Sequence, residues 1–464
     1  MGNSYKFILF GLTIIFISLI FYGFPDSPAP WFDEGINLGI VKSWLKHGVY
    51  SLEIGPSEFI KERSLLITTN YPLLLWIALS FKFFGIGLWQ AKIVMFGFLF
   101  IFACLFYLLA KKYYGANSAL MTLALLITFL PLYGNGKSAL GEIPGLTYFL
   151  GGLLFWESEK KWRIFTAGLL FGLAAATKPL YLLLIVSVAI GELWIFAGDR
   201  KSNYKRWVLL ASGFAPPLIL WLYTLLPGQL SFDYLIKTWQ LYSNPYNIEN
   251  TAFVNFLRFF KESTPVHFGL LFGAFLFSKI FVKHYSLKKF EVILLAFIVL
   301  NLLFYLKTAG WYRYFFPAHI LLFMLFPQAL AGIMEKFGVL NWIKTRGSII
   351  LIAILAVVQA IVLVVNIQTS LYLDRTPRQF AEAVNKIVPQ GQGILVIDFP
   401  EIVFLLNRDD VWHYLRANPH ITFGRDLFAA NQYPAYVISD VLPPGNKYDI
   451  KIDGGKYVLY ERKK

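Results

Sequence analysis

The sequence predicts an all-α polytopic membrane domain followed by a small extracytoplasmic α/β domain. Hydrophobic residues make up 57% of the 464 residues and charged residues only 15%, whereas an average soluble domain is about half apolar and about a quarter charged. Aromatic residues reach 18%, which suits a protein surrounded by lipid. Long apolar runs recur as far as residue 370, after which strand and helix patterns alternate. The composition excludes a cytosolic globular enzyme, a disordered chain and a disulfide scaffold.

The membrane domain is predicted from apolar runs of helical length. A hydrocarbon core of about 30 Å needs about 20 helical residues, which leaves room for about eleven transmembrane helices. The runs that predict spans are residues 9–21, 89–110, 117–133, 143–156, 163–177, 180–197, 207–225, 266–282, 289–306, 313–331 and 348–367. A further run, residues 72–84, is short for a span and is predicted to lie along the membrane surface as a juxtamembrane helix. The first run is expected to stay as an anchor, because no good signal-peptide cleavage site follows it.

The distribution of positive charge gives the predicted orientation. Lysines and arginines concentrate in the loops near residues 111–116, 157–163, 198–206, 283–289 and 335–346, and such loops generally face the cytoplasm. These loops share one side only if residues 72–84 do not cross the membrane. The chain is therefore predicted to be a multi-pass protein of the cell membrane (plasma or inner membrane) with a cytoplasmic N-terminus. Residues 1–370 then form the transmembrane domain, with outer loops at 23–88 and 227–264, and residues 371–464 form the extracytoplasmic domain.

The C-terminal segment has the alternation typical of a small α/β domain. Thr376-Pro377 predicts a helix start, because proline is favoured in the first turn. Residues 393–398 and 436–439 are predicted buried strands, and residues 448–452 and 456–460 a terminal hairpin. Strand–helix alternation implies a partly parallel sheet. Gly391-Gln392-Gly393 precedes a strand rather than following one, so it is interpreted as a turn and not as a phosphate-binding loop.

Net charge points to the membrane rather than to nucleic acid. The chain carries 42 lysines and arginines against 27 aspartates and glutamates, a net charge of +15. The cytoplasmic loops explain this excess, and no dense basic face is expected elsewhere. The lipid bilayer is therefore a predicted partner and nucleic acid is not. The single cysteine, Cys104, cannot form an intrachain disulfide, and no His/Cys cluster predicts a metal site.

Ionisable residues near the ends of the predicted spans are the candidate site residues, because burying charge in a membrane is costly. Asp33 and Glu34 follow the first span in an aromatic setting. Such a pair suits catalysis, but Asp33 is equally well interpreted as the N-cap of a helix over residues 35–44. Glu142 lies where two predicted spans meet on the outer side. Lys137, shortly before it, is expected to pair with Glu142 and lower its pKa.

Two cations break the trend of positive charge on the inner side. Lys178 separates two apolar runs, and Arg313 stands where a predicted span begins. Both are predicted at the outer face. Either they extend to lipid headgroups, or they bind a substrate phosphate, for which arginine offers a planar fork and lysine a point charge.

Two carboxylate motifs and two cations on one face favour transfer chemistry on a lipid-linked phosphate. A carboxylate would deprotonate the acceptor, and the cations would stabilise the departing phosphate. The alternative is a polytopic transporter or a lipid flippase. Transporter sites lie near the middle of the bilayer, often between repeats, whereas these candidates lie at an edge and the sequence has no internal repeat.

At these motifs the chain resembles the GT-C superfamily of integral-membrane glycosyltransferases, in the branch of the protein O-mannosyltransferases and the bacterial aminoarabinose–lipid A transferases. Asp33-Glu34 resembles the acidic pair of the family's first outer loop, followed by a helix and the break Gly48-Val49-Tyr50. The motifs that also resemble the family are Asn70-Tyr71-Pro72, although family members usually carry two prolines there, Lys137 to Pro144, Lys178, and Arg313-Tyr314.

The resemblance implies a GT-C fold and a hexosyl- or pentosyltransferase. Such an enzyme moves a sugar from a polyprenyl-phosphate donor to an extracytoplasmic protein, glycolipid or polysaccharide by an inverting single displacement. By resemblance, the catalytic residues are Asp33 (the general base), Glu34 and Glu142, and the substrate-binding residues are Lys137, Lys178, Arg313, Tyr71 and Tyr312. No cofactor is implied, because only some branches of the superfamily need a divalent cation and nothing in this sequence indicates one.

Overall fold

The computed structural model describes most of the chain. The described residues are 3–61, 68–198, 204–225, 232–282, 287–336, 341–369, 372–418, 421–425, 427–428, 432–443 and 447–463. Residues 62–67 and 226–231 of the predicted outer loops lie outside this part, as do the basic residues Arg200, Lys201 and Lys283. The predicted domain boundary at 370/371 also falls outside it and stays a prediction.

Helices dominate the part of the chain before residue 370, as predicted. They are α1 (Asn3–Phe21), α2 (Phe32–His47), α3 (Tyr71–Phe84), α4 (Leu88–Ile127), α5 (Leu130–Gly136), α6 (Glu142–Trp156), α7 (Lys161–Thr177), α8 (Leu183–Gly198), α9 (Tyr204–Leu225), α10 (Phe232–Ser243), α11 (Thr251–Lys261), α12 (Ser263–Phe281), α13 (Lys289–Leu306), α14 (Phe316–Lys336) and α15 (Asn341–Asn366). Short 3-10 turns cover Pro179–Leu182 and Tyr312–Tyr314.

Six helices in the described part of the chain are long and apolar enough to cross a membrane, judged by length and composition. They are α4, α9, α12, α13, α14 and α15. The other predicted spans fall in α1 and in α6, α7 and α8, and these last three have 15, 17 and 16 residues. The helical nature of the predicted spans is thus confirmed.

Two helices differ in length from an ordinary span. α4 has 40 residues and joins two predicted spans, 89–110 and 117–133, across a break at Gly115, where φ is +84°. Glycine adopts this conformation without the steric cost that a Cβ would bring. α3 has 14 residues, about 21 Å at 1.5 Å per residue, which is shorter than the hydrocarbon core of about 30 Å. Its length fits the predicted juxtamembrane helix.

α14 forms the centre of the bundle. Of the six long apolar helices it is the most buried, at 78%, and it packs against α4, α12, α13 and α15. Its first turns consist of fully buried side chains, such as Phe316 and Ile320. The 3-10 turn that carries Arg313 leads directly into α14, so Arg313 enters the middle of the bundle rather than its lipid-facing surface.

The C-terminal segment is the predicted α/β domain. Its elements are α16 (Thr376–Ile387), β3 (Ile394–Ile397), α17 (Pro400–Leu406), β4 (Val411–Asn418), β5 (Ile421–Phe423), β6 (Tyr436–Ser439), β7 (Tyr448–Gly454) and β8 (Tyr457–Arg462). They follow a small hairpin of the first loop, β1 (Glu53–Gly55) and β2 (Glu58–Phe59). The sheet order is β5-β4-β3-β6-β8-β7, with β3 parallel to β4 and β6 and the remaining pairs antiparallel.

The predicted helix, the two buried strands and the terminal hairpin are confirmed as α16, β3, β6 and β7–β8. The sequence analysis missed α17, β4 and β5. β4 (Val411–Asn418) was missed because His413 and Arg416 interrupt its apolar pattern. The partly parallel sheet is confirmed, since β3, β4 and β6 all run in one direction.

The C-terminal domain packs directly on the helix that carries Asp33. α17 lies against α2, and a Cβ on Gly35 would stand 2.2 Å from the backbone nitrogen of Glu401. Only glycine therefore allows the two backbones to approach this closely. At the other end of α2, Lys46 pairs with Asp409 at 2.7 Å. The position of α2 thus depends on both domains.

Candidate active site

The first candidate carboxylate, Asp33, lies in the first turn of α2. The helix begins at Phe32, and its N-cap is Trp31, which makes no side-chain capping hydrogen bond. The interpretation of Asp33 as an N-cap is therefore wrong. A carboxylate in the first turn still interacts favourably with the positive end of the helix dipole. The helix ends at the predicted break, where Gly48 adopts a left-handed conformation with φ of +69°.

Arg313 is the partner of Asp33. One nitrogen of its guanidinium, Nη1, donates a hydrogen bond to Oδ2 of Asp33. The guanidinium also lies over the rings of Trp31 and Trp311, 5.0 and 4.5 Å from their centroids. Burial by itself lowers the pKa of Arg313, but Asp33 together with Tyr314, Glu142 and Tyr242 outweighs burial and raises the pKa above its usual value. The arginine is thus a permanent cation in a largely dry setting, not one that extends to lipid headgroups.

Asp33 and Arg313 lie in the wall of a cavity of about 540 Å³. Seven of its fifteen described lining residues are aromatic, and the charged ones among them are Asp33, Arg313 and Arg416. The described lining residues are Trp31, Phe32, Asp33, Ile36, Thr68, Asn135, Leu241, Tyr242, Pro245, Tyr246, Trp311, Tyr312, Arg313, Tyr314 and Arg416. The cavity therefore draws on α2, α10, the turn before α14 and the C-terminal domain, and its volume suits a ligand the size of a sugar phosphate.

A second ion pair, between Glu142 and Lys178, lies close enough to Arg313 and Asp33 for their charges to act on it. Glu142 is the first residue of α6, and Lys178 lies between α7 and the 3-10 turn that follows it. Lys178 donates to Oε1 of Glu142, and both side chains are buried. Burial lowers the pKa of Lys178 while Glu142 opposes the shift, and the charges of Arg313 and Asp33 also act on it. The two ion pairs are therefore neighbours.

Glu142 keeps one oxygen without a protein partner. Its Oε2 is buried and makes no hydrogen bond within the described part of the chain, and Tyr181 donates its hydroxyl to the backbone oxygen of Glu142. An unsatisfied carboxylate oxygen inside a protein is costly. Oε2 is therefore a point where a water or a substrate donor would be stabilised.

Glu34 points away from the cavity. Its carboxylate accepts hydrogen bonds from Nζ of Lys92 at 3.0 Å and from the backbone N–H of Ala139 at 2.8 Å, and both charged side chains are fully buried. The structure therefore places Glu34 in an ion pair that joins α2 to α4. Lys92 was not among the predicted residues, although a lysine inside the predicted span 89–110 is itself a signal of a buried partner.

Lys137 is also placed apart from the cavity, and its expected pairing with Glu142 is wrong. Its Nζ donates to the backbone oxygen of Tyr22 at 2.8 Å and to Oγ of Ser27 at 3.1 Å. Burial, assisted by the charge of Lys92, lowers the pKa of Lys137 to about 7. Glu142 pairs with Lys178 instead, because the chain turns between Lys137 and α6.

The two predicted tyrosines have different surroundings. Tyr312 lines the cavity and its hydroxyl bonds Nδ1 of His319 at 3.0 Å. Tyr71 donates to the backbone oxygen of Pro217 at 3.0 Å and so connects α3 to α9. Neighbouring Asn70 accepts from the backbone N–H of Tyr71 at 2.6 Å as the N-cap of α3. Of the two, only Tyr312 is brought to Asp33 and Arg313.

The described residues contain no group of three or more His, Cys, Asp or Glu side chains able to hold a metal ion. Among the described residues that line the cavity, the charged groups are two arginines and one carboxylate. This set suits the binding of a phosphate or carboxylate directly by side chains. Arg416 was missed by the sequence analysis, because its domain carried no motif that points to the membrane domain.

Comparison with known proteins identifies the fold. No family model matches the sequence, and no curated protein matches it. The structure is similar to the crystal structure of ArnT from Cupriavidus metallidurans bound to undecaprenyl phosphate, with a TM-score of 0.68 and 12% identity over 97% of this chain and 97% of that one. The apo form of ArnT gives a TM-score of 0.64 at 12% identity, over 97% of this chain and 98% of that one.

A second neighbour supports the same fold. The oligosaccharyltransferase of Archaeoglobus fulgidus, tethered with an acceptor peptide, gives a TM-score of 0.57 at 12% identity, over 95% of this chain and 69% of that one. ArnT and the oligosaccharyltransferase are both GT-C glycosyltransferases. The chain therefore has the GT-C fold, with the small α/β domain at its C-terminal end, and the resemblance noted in the sequence is confirmed at the level of the fold.

Proposed function

We propose that the protein is a glycosyltransferase that moves a sugar from a polyprenyl-phosphate donor to an acceptor at the extracytoplasmic face of the cell membrane. The observation that carries this proposal is the contact between Asp33 and Arg313 in the wall of a cavity of about 540 Å³. A carboxylate that takes a proton and a cation that binds a phosphate are the two groups that such a transfer needs. The neighbouring pair of Glu142 and Lys178 adds a second charge of each sign.

The proposed reaction is a single displacement. Asp33 accepts the proton of the acceptor nucleophile, whose lone pair attacks the anomeric carbon of the donor sugar. The bond between that carbon and the phosphate oxygen breaks, and its electron pair leaves with the polyprenyl phosphate. Attack from the face opposite the phosphate inverts the anomeric configuration. A positioned base of this kind contributes about 10²- to 10⁴-fold to the rate.

Donor binding would prepare the base. In the structure Arg313 is bonded to Asp33. A donor phosphate would compete for the same guanidinium, whose planar fork matches phosphate oxygens. Asp33 would then lose its partner and become free to accept a proton. Lys178 remains paired with Glu142 and contributes positive charge near the departing phosphate.

The other predicted residues take different roles in this proposal. Tyr312 lines the cavity and contacts substrate. The positioning residues are Glu34, Lys137 and Tyr71. They do not line the cavity, but their hydrogen bonds hold the structural elements that surround it. The general base is therefore Asp33 alone.

The neighbours support the donor class. The ArnT structure contains undecaprenyl phosphate, and the oligosaccharyltransferase structure contains an acceptor peptide. We infer a polyprenyl-phosphate donor that carries a hexosyl or pentosyl unit, and a protein, glycolipid or polysaccharide acceptor. The positive charge of the predicted inner loops supports an outer location for the cavity and the C-terminal domain.

The proposal is tested with the purified full-length protein in liposomes. It is incubated with a membrane extract and with radiolabelled polyprenyl-phosphate hexoses and pentoses, one donor at a time. We expect label to move from one donor class to a component of the extract, with release of an equal amount of polyprenyl phosphate, and transfer about 10²- to 10⁴-fold slower by the Asp33→Asn variant. A transporter or flippase would instead move the labelled donor across the bilayer intact. That result, with no transfer from any donor, would overturn the proposal.

A further inference from the structure

The carboxyl edge of the C-terminal sheet reaches the same cavity as Asp33. Arg416, near the end of β4, lines that cavity although it belongs to the other domain. β3 and β4 are parallel neighbours whose last paired residues are Ile397 and Tyr414. Asp398 and Arg416 both lie just beyond that pair, at the carboxyl ends of the two strands. Ligands of α/β domains bind outside the carboxyl ends of parallel strands.

Asp398 holds Arg416 in place. The backbone N–H of Arg416 donates to Oδ1 of Asp398 at 2.6 Å, and Nε and Nη2 of its guanidinium contact Oδ2 of the same carboxylate. Asp398 itself adopts a left-handed conformation with φ of +62°, which is uncommon for a residue with a Cβ and often occurs at functional sites. The guanidinium is thus oriented before any ligand arrives.

The same guanidinium remains accessible. The side chain of Arg416 is 51% exposed, and no hydrogen bond of Nη1 occurs within the part of the chain that the structure describes. An arginine whose one edge is bound by a carboxylate still presents its other edge to a planar anion. Arg313, by contrast, is only 12% exposed and is bonded to Asp33.

Arg416 lies in the wall of the cavity that contains Asp33 and also in the wall of a second cavity in the C-terminal domain. That second cavity has a volume of about 190 Å³ and is lined mainly by apolar side chains, among them Leu427, Phe428, Val441 and Leu442. Arg416 lines both cavities. A molecule that spans the two would place its reacting group near Asp33, an anionic group at Arg416 and an apolar portion beyond it.

We infer that Arg416 binds an oxyanion, a phosphate or a carboxylate, on the acceptor, and that the acceptor of this enzyme is therefore an anionic molecule. The inference rests on the proposed function, because it assumes that the acceptor nucleophile lies at Asp33. The donor phosphate is assigned to Arg313, which lies deeper in the bundle. Arg416 thus serves as a specificity-determining residue that the C-terminal domain supplies to the transfer site.

The test measures binding of matched small probes to the purified full-length protein. Glucose 1-phosphate and glucuronic acid carry an oxyanion, glucose is the uncharged control without one, and undecaprenyl phosphate probes the donor side. We expect the wild-type protein to bind at least one of the two anionic sugars more tightly than glucose. Arg416→Ala should weaken that binding about tenfold, the effect expected for loss of a charge-assisted contact, while undecaprenyl phosphate binds as before. Arg416→Lys should lose less.

Arg425→Ala is the matched control, because Arg425 lies in the same domain, pairs with Glu58 at 2.7 Å and does not line either cavity. It should leave binding of all four probes unchanged. Three outcomes would overturn the inference: no preference of the wild-type protein for either anionic sugar, equal binding by Arg416→Ala and wild type, or a loss confined to undecaprenyl phosphate, which would assign Arg416 to the donor. Undecaprenyl phosphate binding by the wild type, together with the transfer assay, tests the proposed function separately.

Discussion

Asp33 accepts a hydrogen bond from Arg313, which follows it by 280 residues in the chain. The contact joins the first turn of α2 to the turn that leads into the central helix α14. Both side chains are about one-eighth exposed, at 13% and 12%, so the pair is shielded from bulk water but open to the cavity. Electrostatic interactions are stronger in such a setting than at the surface. In the proposed mechanism the pair links the binding of an anion to the availability of a base.

The first prediction separates catalysis from binding at Asp33. Asp33→Asn should lower the transfer rate by about 10²- to 10⁴-fold, because a carboxamide cannot take the proton of the acceptor. The amide oxygen still accepts a hydrogen bond from Arg313, so thermal stability and donor binding should be retained. Single-turnover transfer and undecaprenyl phosphate binding measure the two effects. Turnover at the wild-type rate would remove Asp33 as the base.

The second prediction concerns the phosphate-binding role of Arg313. Arg313→Ala should weaken undecaprenyl phosphate binding about tenfold or more, since a charged partner is lost from a dry site. Arg313→Lys keeps the charge but not the planar fork, so it should recover only part of the affinity. Arg375→Ala is the control, because that side chain is 62% exposed. Equal donor affinity in all three variants would show that Arg313 serves only to hold Asp33.

The third prediction treats Glu34 as a structural residue. Glu34→Gln should lower the free energy of unfolding by about 3 to 5 kcal/mol, because Lys92 would be left buried without its counter-charge. The double variant Glu34→Gln/Lys92→Met removes both charges and should recover much of this loss. Thermal unfolding in detergent compares the three proteins. A Glu34→Gln variant that is as stable as wild type but inactive would contradict the structural role and indicate that Glu34 takes part in catalysis.

The fourth prediction follows from the close approach of the two domains at Gly35. Gly35→Ala places a methyl group against the backbone of Glu401, with 2.2 Å between its Cβ and the nitrogen, and this overpacking should cost about 1 to 3 kcal/mol. Transfer should fall as well, because α2 must shift and Asp33 with it. Gly39→Ala, one turn later, meets only the flexible Cδ1 of Leu52 at 2.7 Å. The idea fails if the two variants have the same melting temperature and activity.

The fifth prediction concerns pH and Lys137. Its pKa in the folded protein is about 7, against an ordinary value of 10.5. Between these two pH values the unfolded chain binds a proton that the folded protein does not, so the free energy of unfolding rises with pH across this window. Lys137→Met should lack this contribution. Melting curves of both proteins at pH 6, 8 and 9.5 measure it, and parallel pH profiles would contradict the assignment. The first two pH values lie about one unit below and one unit above the folded pKa of about 7, and the third lies about one unit below 10.5.

Much of the fold could be predicted from local patterns. Apolar runs placed the membrane helices, and the short run at residues 72–84 became α3 with 14 residues. Alternating apolar residues gave β3, β6 and the β7–β8 hairpin. β4 could not be predicted in this way, because His413 and Arg416 break its pattern while its neighbours in the sheet supply the pairing.

The candidate site was predictable only as a set of residue types. Charges at the ends of apolar segments singled out Asp33, Glu142, Lys178 and Arg313, since ions in such places need a partner. Their partners could not be predicted, and the nearest cation in sequence, Lys137, was the wrong one for Glu142. In the structure Glu142 pairs with Lys178, and Lys137 donates a hydrogen bond to the backbone oxygen of Tyr22, just after α1.

The sequence by itself determined that the protein is a helical membrane protein with an α/β end domain and which buried charges are unusual, because hydrophobicity and charge act residue by residue. The tertiary structure decided which charges meet, since an ion pair forms wherever helix packing brings two side chains within a few ångströms, whatever their separation along the chain. That is why Arg313 reaches Asp33, why Glu34 turns to Lys92 instead, and why Arg416 enters the cavity from another domain.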